Sequence, residues 1–375
     1  MLTISDLLEV TRELTESTEE KNVFQFVDLS MNIAIIGAGF CGVAVAWHLL
    51  SSPHPFPNLK VTLFDAEGIG AGASGVSAGL LHPYAGAHAK LNWRGKEGFE
   101  ATCQLLSVAS RALNTAVTAE DQGILRLALT SAQQHDFQHS PALQDPQVEW
   151  LESPQSQALV KGCVPFPGLW IQNGLTVYPQ LYLQGLWTAC MRLGAQFEKR
   201  HLTSLSELKG FSLCIVAAGA AIRSISELKD LPLKSVKGQV LELEWPHALP
   251  KLPCALNSHI YILMKPSKAS CLVGATYEKE FADASFDLEI ARREILPKAA
   301  LMLPPLSEAR IIGGNAGLRA VSPNHLPFIK QVNSKTWVLT GMGSKGLLYH
   351  ALMAKELVQA ISIRERWVKG LDDLY

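Results

Sequence analysis

The chain has 375 residues, 48% of them hydrophobic and 18% charged, with a net charge of -1. That length accommodates two globular domains or one large two-layer unit, and nothing along it resembles a basic stripe or an acidic tail, so the charge gives no support to nucleic-acid binding. The seven cysteines, at 41, 103, 163, 190, 214, 254 and 271, are odd in number and contain no C-x-x-C pair. They read as reduced thiols of a cytoplasmic protein, not as a disulfide frame or a metal site.

Residues 1–30 are acidic and lack the apolar centre of a signal peptide. Apolar residues at 4, 7, 8 and 11 predict one short amphipathic helix. This segment is expected to be an extension without a role in the chemistry.

In the stretch from Ile33 to Leu50 only His48 is strongly polar, which is enough length for a short membrane span. Its internal spacing points elsewhere. Gly37, Gly39 and Gly42 fall in G-x-G-x-x-G order, directly after a strand-like run Ile33–Ile36 and before a helical run Val43–Leu50. A second strand, "LKVTLFDA" (59–66), ends in Asp65, twenty-three residues beyond Gly42. Strand, glycine turn, helix, strand and acidic residue in this register predict a dinucleotide site. Gly37 would permit the tight turn, Gly39 the approach of the pyrophosphate, and Gly42 close packing of helix on strand. Asp65 would accept hydrogen bonds from ribose hydroxyls.

The segment "GIGAGASGVSAGLLHPYAG" (68–86) is dense in small residues, as a second nucleotide-facing loop requires. His82 and the basic positions Lys90, Arg94 and Lys96 follow it; His82 reads more readily as structural, and the lysines and arginine face either substrate or solvent. "YPQLYLQGLWTACMRLGAQFEKRHLTSL" (178–205) predicts a helix and then a short strand containing Leu202, and "FSLCIVAAGAAI" (211–222) a buried strand ending at Ala218-Gly219. "QVLELEW", "HIYILMK" and "SCLVGATYE" alternate as β-strands. Near the end, a strand Trp337–Thr340 enters a turn with Gly341, Gly343 and Gly346, then a long helix whose N-terminus would also face a ligand.

Taken in order, "IIGAGFCGVAVAWHLL", "LFDA", "GASGVSAGLL", "IVAAGA", "KGQV", "GLRAVSPNHLPFI" and "TGMGSKGLLYHA" resemble the FAD-dependent oxidoreductases of the D-amino-acid oxidase type, over about residues 31 to 361. That group includes glycine oxidase, sarcosine oxidase and D-amino-acid dehydrogenase. "SVKGQV", "GLRAVSPNHLPFI" and "GMGSKGL" are most similar to the FAD domain of the bifunctional enzymes that complete methylaminomethyl-uridine at the tRNA wobble position. The resemblance implies an α/β fold: a Rossmann-like FAD-binding domain with an α+β substrate domain on a mixed sheet. Its pieces would be 31–112, 172–232 and 311–375 for FAD, and 113–171 and 233–310 for substrate.

The resemblance also implies non-covalent FAD, because the cysteine that sarcosine oxidase uses for covalent attachment matches a position near Gly317. The oxygen-activating lysine of sarcosine oxidase falls near Leu272, which leans slightly toward a dehydrogenase, but glycine oxidase also lacks it, so oxidase and dehydrogenase both stay open. Flavin contacts would come from Gly37, Gly39, Phe40, Cys41 and Gly42; from Asp65 and Ala66; and from Ala73, Ser74, Gly79 and Leu80. Leu202 would meet the adenine, with Ala218, Gly219, Gly341, Gly343, Ser344, Lys345 and Gly346 completing the cradle. Arg319 would anchor a substrate carboxylate and Tyr261 would hydrogen-bond the substrate. The substrate would be a small amine or amino acid, its C–N bond oxidised to an imine that hydrolyses. Two alternatives stand beside it: the carboxymethylaminomethyl group of a tRNA wobble uridine, disfavoured by the near-neutral charge, and a flavin-holding scaffold without turnover.

Overall fold

The structure, a computed structural model, describes residues 31–52, 58–86, 88–120 and 123–372, so the predicted helix near residues 4–11 lies outside it. Ile33, Ala34, Ile35 and Ile36 form a continuous apolar run, as a strand covered on both faces requires. This strand, Asn32–Ile36, is central to a six-stranded sheet in the order Phe328–Asn333, Thr336–Thr340, Leu213–Val216, Asn32–Ile36, Lys60–Asp65, Gln196–Lys199. All neighbours are parallel except the edge strand Phe328–Asn333. In chain order the parallel strands lie 3-2-1-4-5, so winding reverses between Asn32–Ile36 and Leu213–Val216. Ligand crevices open at the carboxyl ends of strands beside such a reversal.

Helices Phe40–Ser51, Gly95–Leu113, Pro179–Arg192 and Gly346–Asp372 pack against one another over one face of this sheet. Short 3-10 turns between residues 205 and 228 cover the other. The predicted nucleotide helix is thus twelve residues long, and no helix among the described residues is long and apolar enough to cross a membrane.

A second, eight-stranded sheet runs Ile311–Val321, Lys234–Glu244, Ser270–Gly274, Tyr261–Met264, Ala255–Asn257, Ile124–Leu127, Gly168–Ile171, Val148–Leu151. Its alternation separates two faces. Leu125, Leu241, Leu256, Ile262, Cys271 and Val273 pack with helix Leu288–Ala300. Ile124, Ala255, Tyr261, Leu263 and Leu272 pack on the other side with Ala78 and Leu80 of the small-residue segment. One boundary expected from sequence is corrected here. Ile311–Val321, read as the start of a flavin-side piece, pairs along its length with Lys234–Glu244 in the second sheet. Its glycines and polar residues hide that pairing from an apolar pattern. The chain crosses over only afterwards, where the Ser322 N–H donates to the Gly341 carbonyl at 3.3 Å.

Three histidines stay neutral here, His82 and His350 buried and His48 half-buried. Burial pushes His350 and His48 down to about 4, and His82 down to about 3. Unfolded, each would take a proton near 6.5, so the unfolded state binds protons first as pH falls. The stability these neutral side chains contribute is present above about 6.5 and is lost progressively toward 4. Denaturant midpoints measured from pH 7.5 down to 4.5 are expected to fall steadily below 6.5; a flat profile would contradict this assignment.

Candidate functional site

The glycine motif is set by contact distances. Gly37 has φ +103°, and a Cβ there would lie 2.6 Å from the Ala217 carbonyl oxygen of the neighbouring strand's end. A Cβ on Gly42 would lie 1.8 Å from the Gly37 carbonyl oxygen, so helix and strand touch only because both positions lack one. Gly39 faces the small-residue segment. Its missing Cβ makes room for Ser74, whose Oγ would be 2.7 Å away and which accepts the Phe40 N–H at 3.0 Å. The serine of the small-residue loop thus caps the helix start. The N–H groups of Cys41 and Gly42 have no acceptor among the described residues.

Phe40 and Cys41, two of the residues expected at the cofactor, stand at the helix start with their side chains turned inward. Phe40 packs its ring 5.0 Å from His350 and 6.0 Å from Tyr182, centroid to centroid. The Cys41 thiol, pushed up to about 12 by burial, points its Sγ to the Met342 Sδ at 3.6 Å. Both are apolar enough to be drawn into the seam between helices Phe40–Ser51 and Gly346–Asp372. Tyr182 Oη lies 2.6 Å from His350 Nε2, whose Nδ1 faces the Gly346 and Leu347 carbonyls at 3.1 and 3.0 Å. Nδ1 therefore carries the proton and Tyr182 donates to Nε2.

The second turn meets the first. Gly341 and Gly343 take φ +78° and +55°, and a Cβ on Gly346 would be 3.9 Å from the Phe40 ring. Ser344 is exposed; Lys345 is half-buried and has no acidic partner among the described residues. Neither helix carries an acidic residue in its first turn. Two positive helix ends thus converge, with free N–H groups on the first and no carboxylate of their own to offset them, which fits a pyrophosphate.

Around this point Ala217 and Ala218 abut Gly37, and Gly219 follows at φ +56°. Gly79 and Leu80 run against Val177 and Thr176. A Cβ on Gly317 would lie 2.8 Å from the Ala73 Cα, so the second sheet rests directly on the small-residue loop. Asp65 is already engaged: Oδ2 accepts from Ala38 N–H at 2.8 Å, and Oδ1 from Glu67 and Gly68 at 2.9 and 3.0 Å. It fixes the loop, and only its remaining lone-pair capacity is left for a ribose hydroxyl. Ala66 beside it is exposed. The strand ends earlier than expected, at Lys199, and Leu202 lies beyond it, buried with Ile36, Phe64, Leu208 and Ile222.

On the substrate side, Gly317, Arg319 and Val321 share one face of their strand by alternation. Gly317 touches Ala73, and Val321 lies 3.7 Å from where a Gly343 Cβ would be, so Arg319 is carried between the small-residue segment and the second glycine turn. Its guanidinium lies flat over Gly238, where a Cβ would be 2.1 Å from Nη2, and donates to the Thr276 carbonyl at 3.2 Å. Burial pulls its pKa below the ordinary value, opposed by Tyr261, Tyr277 and Glu278; it remains a cation. Among the described residues no carboxylate pairs with it. Burial raises the Tyr261 hydroxyl above its ordinary value, with Arg319 opposing. The hydroxyl is therefore a donor at neutral pH.

Sequence reasoning missed what holds Arg319. Gln239 is fully buried, its Oε1 accepting Asp287 N–H at 2.7 Å and its Nε2 donating to Glu278 Oε1 at 3.0 Å. Thr276 Oγ1 accepts the Gln239 N–H at 2.8 Å and donates to Glu278. This network fixes the Thr276 carbonyl and sets Tyr277 beside the guanidinium, 5.9 Å from Cζ to the ring centroid. A glutamine directly before the apolar alternation Val240-Leu241-Glu242-Leu243 was the available signal. The other basic candidates separate: Arg94 pairs with Glu97 and Glu356, Lys96 with Asp145 at 2.9 Å, and Lys90 is exposed.

The model of the family described as DAO, FAD dependent oxidoreductase, matches residues 32–360. The chain belongs to this family. FAD is its cofactor, and the chain is an FAD-dependent oxidoreductase. Among curated relatives, the tRNA 5-methylaminomethyl-2-thiouridine biosynthesis bifunctional protein MnmC of Polaromonas naphthalenivorans is 27% identical over 86% of this chain and 55% of its own length. MnmC of Acinetobacter baylyi is 27% identical over 88% of this chain and 52% of its own. The chain thus spans about half the length of these relatives. Among solved structures, glycine oxidase from Geobacillus kaustophilus aligns with TM-score 0.74 at 19% identity, covering 90% of this chain and 95% of that one. Iminodiacetate oxidase from Chelativorans sp. BNC1 gives 0.71 at 20% identity, covering 87% and 94%. These likenesses show the fold.

Replacing Gly42 by Ala forces helix Phe40–Ser51 away from the Gly37 carbonyl, a strain of about 1–3 kcal/mol. Purified Gly42→Ala protein is expected to lose most of its flavin absorbance and to unfold at lower denaturant; full flavin content at unchanged stability would contradict the contact.

Proposed function

We propose that the chain oxidises the C–N bond of an amine that carries a carboxylate on one arm. The observation behind this is Arg319: a half-buried guanidinium without a carboxylate partner among the described residues, on the strand face that lies between the small-residue segment and the second glycine turn. Bound FAD supplies the hydride acceptor for such an oxidation. The N–H groups of Cys41 and Gly42 and the start of helix Gly346–Asp372 would hold its pyrophosphate, with Asp65 at the ribose. The binding is non-covalent in this reading; the contact between Gly317 and Ala73 leaves no room for a side chain at the position that matches the covalent cysteine.

Arg319 receives the carboxylate bidentately and so fixes the amine's carbon in place. Tyr261 donates its hydroxyl hydrogen bond to the substrate. No strong base is required if the amine arrives unprotonated, and the imine product hydrolyses in water. We assign 31–112 and 172–232, with the turn and helix after Val321, to the cofactor side, and the eight-stranded sheet to the substrate side.

A more specific substrate is favoured by one observation. The relatives named above act, by their names, in biosynthesis of a modified tRNA uridine. The carboxymethylamino arm of such a nucleoside carries the carboxylate that Arg319 requires. The net charge of -1 supplies little for phosphate contacts, so this reading needs retention of tRNA that weakens as salt rises.

An anaerobic screen of D-, L- and N-methyl amino acids and of carboxymethylaminomethyl-uridine is expected to bleach the flavin with at least one of them. Arg319→Leu should keep its flavin yet need on the order of 100-fold more substrate, as expected for a lost charge-assisted bidentate contact. The reduction rate should rise with pH as the substrate amine deprotonates and should not fall near pH 10, because the Tyr261 hydroxyl ionises above its ordinary range. No bleaching by any amine would leave a flavin-binding scaffold; bleaching indifferent to Arg319→Leu would remove the anchor.

A further inference from the structure

The register of the second sheet places one more polar residue on the face turned toward the flavin-side segment. Tyr261 is the cross-strand partner of Asn257, and Asn257 is the partner of Arg126 on the next strand. Paired residues project to the same side of a sheet. Residues two positions along, Ile124, Ala255 and Leu263, pack with Ala78 and Leu80. Arg126, Asn257 and Tyr261 thus form a polar row across an otherwise apolar surface, the Tyr261 end of it nearest Arg319.

The Asn257 amide is half-buried and has no hydrogen-bond partner among the described residues. Behind it, Arg126 is 3% exposed; its Nη1 and Nη2 donate to the Tyr84 and Gly86 carbonyls at 2.6 Å each, and the Phe137 ring centroid lies 5.1 Å from Cζ. Arg126 Nε is buried without an acceptor, as is Nδ1 of nearby His82, and no carboxylate pairs with Arg126 among the described residues. A buried cation without a counter-ion leaves positive potential at that end of the row. A free amide between that cation and the Tyr261 hydroxyl suits a ligand group that accepts hydrogen bonds.

We propose that Asn257 contacts substrate and sets its specificity: its amide receives a carbonyl-bearing group on the arm of the amine opposite the carboxylate. The proposal rests on the carboxylate-amine reading above and deepens it. It accounts for a polar residue where the alternation of that face calls for an apolar one, and it makes a plain alkyl amino acid a poorer ligand than an amine with an amide or similar group on its second arm.

The test uses thioethers in which sulfur replaces the amine nitrogen, so that binding is read without turnover from the change in flavin absorption. (Carbamoylmethylthio)acetate and (isobutylthio)acetate have the same shape and differ in the carbonyl-bearing amide. The FAD-loaded wild-type protein is expected to bind the first about tenfold more tightly, the value of one good hydrogen bond. Asn257→Leu, and the isosteric Asn257→Asp, which lacks the N–H donors, should abolish that preference while retaining flavin. A preference absent from the wild type, or one that survives in both variants, overturns the proposal. Arg319→Leu reports separately: it should weaken both thioethers equally, and if it weakens neither, the carboxylate anchor fails while the ratio of the two still reports on Asn257.

Discussion

Two helix N-termini that meet at one point create a positive potential that the chain does not cancel. Helices Phe40–Ser51 and Gly346–Asp372 both begin without an acidic residue in the first turn. Their ends are held together by packing: Phe40 against Tyr182 and His350, and Cys41 against Met342. The hydrogen bond of 2.6 Å from Tyr182 to His350 satisfies the one polar pair inside that seam. Apolar contact thus opposes electrostatic repulsion, and a dianionic pyrophosphate placed at the junction removes the repulsion. The glycines follow from the same demand. Gly37, Gly42 and Gly341 stand where any side chain would strike backbone or a packed neighbour.

The second constraint is the division of the eight-stranded sheet into unlike faces. One face is sealed by helix Leu288–Ala300 and is apolar throughout its core. The other confronts the cofactor segment and admits Arg126, Asn257, Tyr261 and Arg319 among apolar neighbours. Buried polar groups need partners, and the two ends of this face obtain them differently. Arg319 is held by the Thr276 carbonyl, itself fixed by Gln239 and Glu278; Arg126 is held by two loop carbonyls. Both cations are oriented by neutral oxygen atoms and have charge left to offer.

The nucleotide half of the molecule was legible because its requirements are local. Glycine spacing, a strand before it and an acidic strand end after it lie within about thirty residues of sequence, and sterics dictate them. Arg319 was legible only through family resemblance, since one arginine in a strand carries no local signal. The orientation of the Phe40 and Cys41 side chains was not legible because an apolar residue inside a cofactor motif faces either ligand or core, and only the seam with the last helix decides. Tyr182 and His350 are 168 residues apart, and the Arg126–Asn257–Tyr261 row depends on strand register, which the sequence pattern leaves open. Ile311–Val321 escaped for a similar reason: its partner strand, not its own apolarity, makes it a strand.

The measurement that bears most directly on this account is a crystal structure of the FAD-loaded protein with pyrrole-2-carboxylate, a planar carboxylate without an oxidisable amine carbon. The account predicts the pyrophosphate against the N–H groups of Cys41 and Gly42, with the inhibitor's carboxylate on the guanidinium of Arg319. A pyrophosphate away from that helix start, or a carboxylate bound elsewhere with Arg319 still turned to Thr276 alone, would contradict it.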